Sequence, residues 1–91
     1  MKAREKATEK ALSTAIKSRG GWSIKLPAIH FAGLPDRLCL LPGGVAFFVE
    51  VKSEGEKPRP VQRNVHRRLR ALGFEVYIID TPAKIYDIIY M

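Results

Sequence analysis

Cysteine occurs once in the 91 residues, as Cys39. A single thiol excludes an internal disulfide and any zinc cluster built on several thiolates. It points to a reducing, cytoplasmic compartment in which Cys39 is a small packed residue. Long apolar runs are missing as well. None approaches the roughly 18 residues that cross a bilayer, so no membrane is expected as a partner. The opening MKAREKATEK carries no apolar signal-peptide core. Nor does any glycine-rich loop lead into the lysine and helix that cradle a phosphate. Repeats, linkers and low-complexity tracts are absent. Acids are scarce: 9 Asp and Glu stand against 16 Lys and Arg, for a net charge of +7 and a pI near 9.9. Such an excess favours a polyanion, nucleic acid above all, as the partner.

What remains is the composition of one small folded domain spanning residues 1–91, with 46% hydrophobic and 27% charged residues. A core of this size is limited, and a dimer is a natural source of further buried area.

Residues 3–19 read as a helix rich in Ala, Lys and Glu, stopped by Gly20-Gly21. At about 100° per residue, Glu5, Glu9, Leu12 and Ile16 share one side, so two acids extend an apolar stripe. Glu5 complements the helix dipole in the first turn, whereas Glu9 lies a turn deeper and fits that account less well. Strands follow at 22–26, 36–41 and 45–52, with a loop at 27–35 and a Pro42-Gly43-Gly44 turn closing a hairpin. After a charged loop, Pro60 opens a second helix over 60–72 and Gly73 ends it. A fourth strand spans 75–79, and a short helix begins near Pro82. This order predicts an α/β sandwich: a mixed four-stranded sheet in which the second helix returns the chain to the sheet, flanked by helices.

Alternation along the third strand places Glu50 and Lys52 on one face, the face opposite Val45, Phe47, Val49 and Val51. Across the hairpin, Asp36 at the start of the second strand is brought to the end of the third. Two neighbouring carboxylates repel unless a cation lies between them. Mg²⁺ or Mn²⁺ could take oxygens from Asp36, Glu50 and the Val51 carbonyl. Lys52 beside them could orient or deprotonate a water and offset phosphate charge, equipment for phosphodiester hydrolysis. The same spacing also suits a plain salt bridge at the end of an exposed hairpin.

In the second helix Arg59, Arg63, Arg67 and Arg70 recur along one side, with Val61, Val65, Leu69 and Leu72 opposite. A row of guanidiniums without acids suits phosphate contacts, and equally a basic solvent face. Gln62 flanks the apolar stripe and either faces the sheet near Lys52 or lies on the surface. His66 falls between the two stripes and is expected at the surface or on the DNA side. His30, in the loop before Asp36, could touch DNA or assist a proton transfer. Trp22, Phe31, Tyr86 and Tyr90 are expected in the core or at an interface. The apolar segment 85–91 must be buried, within the chain or against a second subunit.

Gly33-Leu34-Pro35-Asp36-Arg37, then Gly-Gly, then Phe48-Val49-Glu50-Val51-Lys52, then Gln62, then the run from Leu69 to Tyr77 together resemble the virus-type replication-repair nuclease (VRR-NUC) family, within the PD-(D/E)XK superfamily. The resemblance covers nearly the whole chain. It implies a restriction-endonuclease-like fold and a metal-dependent DNA phosphodiesterase with Asp36, Glu50 and Lys52 as the catalytic set. Gln62 matches the family's helix glutamine, and Glu9 its N-terminal acid, expected to bind a second cation or organise the first. Short standalone members are similar to Holliday-junction resolvases acting as homodimers on branched DNA, and a phage or prophage origin fits. The rival readings are a non-catalytic DNA-binding module and a nuclease cutting linear duplex.

Overall fold

The structure, a computed structural model, describes residues 3–27 and 29–90. Met1, Lys2, Ala28 and Met91, the last residue of the apolar terminal segment, lie outside them. Seven elements follow the expected order: α1 (Ala3–Ser18), β1 (Trp22–Lys25), β2 (Arg37–Leu41), β3 (Val45–Val51), α2 (Pro60–Ala71), β4 (Glu75–Ile79) and α3 (Lys84–Ile89). The sheet runs β1-β2-β3-β4, antiparallel through the first three strands and parallel between β3 and β4. It is therefore mixed, with α2 as the crossover that a parallel neighbour requires.

Strand alternation assigns the two faces. Cys39, Phe47, Val49, Val51 and Ile79 point to one side and pack against Leu12 and Ile16 of α1 and Ile85, Ile88 and Ile89 of α3. Cys39 is fully buried there, and burial pushes its thiol up to about 11, as befits a packed residue. The isoleucines of α3 bury the terminal segment within the chain. Its tyrosines do not follow them: Tyr86 and Tyr90 are exposed, stacked at 5.8 Å between ring centroids, with Arg19 5.2 Å above Tyr90. Trp22 and Phe31 are likewise exposed rather than core.

The opposite face of β3 and β4 receives α2, and here the structure corrects the sequence reading. The buried residues of this helix are Gln62, Val65 and His66, with Leu69 half-buried, whereas Val61 and Leu72 are exposed. The inward face is thus rotated by roughly 60° from the apolar stripe of the sequence, counting about 100° per residue. Gly33 helps to seat the helix. Its φ is +90°, and a Cβ there would come within 2.5 Å of the Val61 carbonyl oxygen, so only glycine lets the 27–35 loop lie this close.

Candidate active site

Asp36 stands one residue before β2, where the chain leaves the loop. Its Oδ2 accepts a 2.7 Å hydrogen bond from the Val51 amide, which ties it across the hairpin to the end of β3. Glu50 projects from β3 toward α2 with its side chain only 3% exposed. Burial pushes its carboxyl up to about 8, and the adjacent Asp36 adds to this through charge and hydrogen bonding. Lys52 and Arg59 pull in the other direction without cancelling the effect. Lys52 extends the parallel ladder, its amide donating to the Ile79 carbonyl at 2.9 Å. Two residues beyond Glu50, it emerges on the same face.

Helix α2 closes the site from above. The Gln62 Oε1 accepts from the Arg59 amide at 2.8 Å, capping the first turn. With that oxygen engaged, the Gln62 Nε2 is directed to Glu50 Oε2 at 3.3 Å. The other carboxylate oxygen, Oε1, lies 3.5 Å from His66 Nε2. Among the described residues, both of these atoms are buried without a hydrogen-bond partner. Burial, then Arg70, then Lys52 hold the His66 imidazole below its ordinary range, which favours its neutral form. The sequence places this histidine at the surface or on the DNA side. In the structure it is 1% exposed and directed at Glu50, because the polar residues of α2 are drawn toward the one buried acid beneath them.

Asp36, Glu50, Lys52 and Gln62 are therefore brought together, and Val51 joins through its amide. Glu9 belongs to the other face. It is buried, its Oε1 accepts from Arg37 Nε at 2.8 Å, and Lys25 Nζ lies 3.9 Å away. Arg37 is a residue to which the sequence reading gives no role of its own. Its signal was available: it alternates with Asp36 and so shares the apolar face on which the unexplained Glu9 lies. Glu5 instead accepts from the Ser53 hydroxyl at 2.7 Å, tying α1 to the loop that follows Lys52. On α2, Arg59, Arg63, Arg67 and Arg70 are all exposed. Arg63 donates to the Pro58 carbonyl, Arg67 to Asn64 Oδ1 and Arg70 to the Val76 carbonyl.

No protein-family model matches the sequence. A curated relative, "Putative nuclease p44" of Acyrthosiphon pisum secondary endosymbiont phage 1, is 44% identical over 78 residues, covering 86% of this chain and 84% of its own length. A solved structure described as a VRR-NUC domain superposes with a TM-score of 0.90 at 33% identity, covering 98% of this chain and 97% of its own. The chain belongs to the VRR-NUC family. Its sandwich is the VRR-NUC fold, and it is a nuclease domain by kinship.

Nuclease folds of this kind generally use divalent metals, and the donor set of this VRR-NUC domain can be tested against one. Among the described residues no group of three or more His, Cys, Asp or Glu side chains is arranged to hold an ion. The pair Asp36 and Glu50 nevertheless fits a hard cation. Two carboxylates are forced together, one of them raised to about 8, and a buried Glu50 oxygen lacks a partner. Hard cations such as Mg²⁺ are commonly held by one or two carboxylates, with water and substrate phosphate completing the shell.

Proposed function

We propose that this VRR-NUC domain is a divalent-cation-dependent endonuclease that hydrolyses phosphodiester bonds in branched DNA, with four-way junctions as the preferred substrate. The observation that carries the reading is the facing pair Asp36 and Glu50, partly buried beside Lys52 in a nuclease fold. An acid pair that repels itself is costly to keep unless it has a cation to hold. Asp36, Glu50 and the Val51 carbonyl would hold Mg²⁺ or Mn²⁺, which when bound supplies Lewis-acid stabilisation of phosphate charge and acidifies a water.

The chain's own groups do the rest. Lys52 orients the attacking water and offsets negative charge as the phosphorus gains its fifth oxygen. Gln62 fixes Glu50 through Oε2 and, through its cap on Arg59, ties the site to the start of α2. Glu9 acts indirectly, holding Arg37 beside Asp36. The guanidiniums of Arg59, Arg63, Arg67 and Arg70 hold DNA backbone without reading bases, so recognition follows shape and salt. A homodimer would present two sites to a symmetric junction, and the limited core and exposed aromatics of the protomer support it.

Labelled four-way junction, flap and linear duplex, incubated with Mg²⁺, Mn²⁺ or EDTA, test this directly. The wild type is expected to cut the junction with either cation and not in EDTA, and Asp36→Asn is expected to lose at least about 100-fold in rate. Cutting in EDTA, or full activity of Asp36→Asn, contradicts the mechanism. Salt-sensitive binding without strand cuts would indicate a DNA-binding module instead, and preference for duplex a linear-DNA nuclease.

A further inference from the structure

Building on that reading, we propose that His66 is a positioning residue whose Nε2–H donates to Glu50 Oε1 and fixes the carboxylate for cation binding. The two atoms face each other at 3.5 Å, and among the described residues neither has a hydrogen-bond partner elsewhere. A buried imidazole without a hydrogen bond is poor packing material, since a leucine would fill the space without a polar atom to satisfy. The pairing accounts for both orphans at once.

It also divides the work at Glu50 sensibly. Gln62 Nε2 takes one lone pair of Oε2 and His66 Nε2 takes one of Oε1. Each carboxylate oxygen has two lone pairs, so these two contacts leave places for the hydrogen bond with Asp36 in the metal-free protein and for an ion that would displace it. Gln62 and His66 stand four residues apart on the sheet-facing side of α2, one helical turn that spans the two oxygens of a single carboxylate. The cations that act on the ring are Arg70 and Lys52, which suits a neutral donor better than a second cation. Outer contacts of this kind orient metal ligands, and their loss typically weakens metal affinity 10–100-fold.

The test is Mn²⁺ binding by titration calorimetry to wild type, His66→Phe, His66→Gln and Glu50→Gln, with the imidazole ¹⁵N spectrum of the wild type. His66→Phe keeps a ring without the donor and is expected to bind Mn²⁺ about 10–100-fold more weakly. His66→Gln restores an N–H and is expected to recover to within about threefold of wild type, which simple volume loss would not produce. The spectrum is expected to show the neutral tautomer protonated at Nε2. Wild-type affinity in His66→Phe beside a weakened Glu50→Gln overturns the role of His66 alone. Unchanged affinity in Glu50→Gln overturns the metal assignment beneath it. Should His66→Phe fail to fold, the tautomer decides, and an Nε2 without its proton refutes the hydrogen bond.

Discussion

Glu50 concentrates the electrostatics of the molecule in one side chain. Its ordinary value of 4.5 is raised to about 8. Between these values the metal-free folded protein binds a proton that the unfolded chain has released. The Glu50 contribution to stability is therefore full below the ordinary value and is lost as pH rises, flattening above about 8. His66 works the opposite way, because its lowered value costs the folded state as pH falls through the imidazole range. The difference between wild type and Glu50→Gln isolates the carboxyl. In urea unfolding with EDTA, wild type should lose stability relative to Glu50→Gln as pH rises from 5 toward 8. Saturating Mg²⁺ should remove most of that loss, since the cation takes the place of the proton. A difference that stays constant with pH would show that Glu50 is not held protonated.

At the scale of elements, α2 carries two residues of the candidate site and the proposed substrate surface. Its arginines line the outside while Gln62 and His66 reach inward. If the outer row holds backbone phosphates, Arg63→Ala and Arg67→Ala should each weaken junction binding and reduce the slope of log K against log salt by about 1. Leu72→Ala, on an exposed flank away from that row, should leave the slope unchanged. Equal slopes for all three proteins would remove the arginine face from the DNA interface. The helix also marks where the sequence was legible and where it was not. Pro60 and Gly73 punctuate it, and Gly20-Gly21 and Pro42-Gly43-Gly44 do the same for α1 and the hairpin. Alternation along β3 then sorted Glu50 and Lys52 from the core, and hairpin register delivered Asp36. The rotation of α2 was not legible, because an apolar stripe says which residues prefer burial and not what lies opposite. Val61 and Leu72 lost their places to Gln62 and His66 once Glu50 lay beneath the helix. The Glu9–Arg37 pair needed two separate observations to be combined: an acid on an apolar stripe and a base on an apolar strand face.

In the whole molecule, the sheet separates two tasks. One face is largely apolar and packed by α1 and α3, and it fixes the strands. The other bears the paired acids under α2, at the end of β3 where the chain leaves the sheet for the charged loop and the arginine row. That division explains how a domain with a net charge of +7 can keep two carboxylates close together. On the proposed reading, the surrounding cations would favour an approaching phosphate and the acids would take a metal from solution. Anomalous diffraction from crystals grown with Mn²⁺ tests this account most directly. It predicts a manganese peak in contact with carboxylate oxygens of both Asp36 and Glu50, at about 2.1 Å for a hard octahedral ion. A peak elsewhere, or none while the two carboxyl groups share a proton, would contradict it.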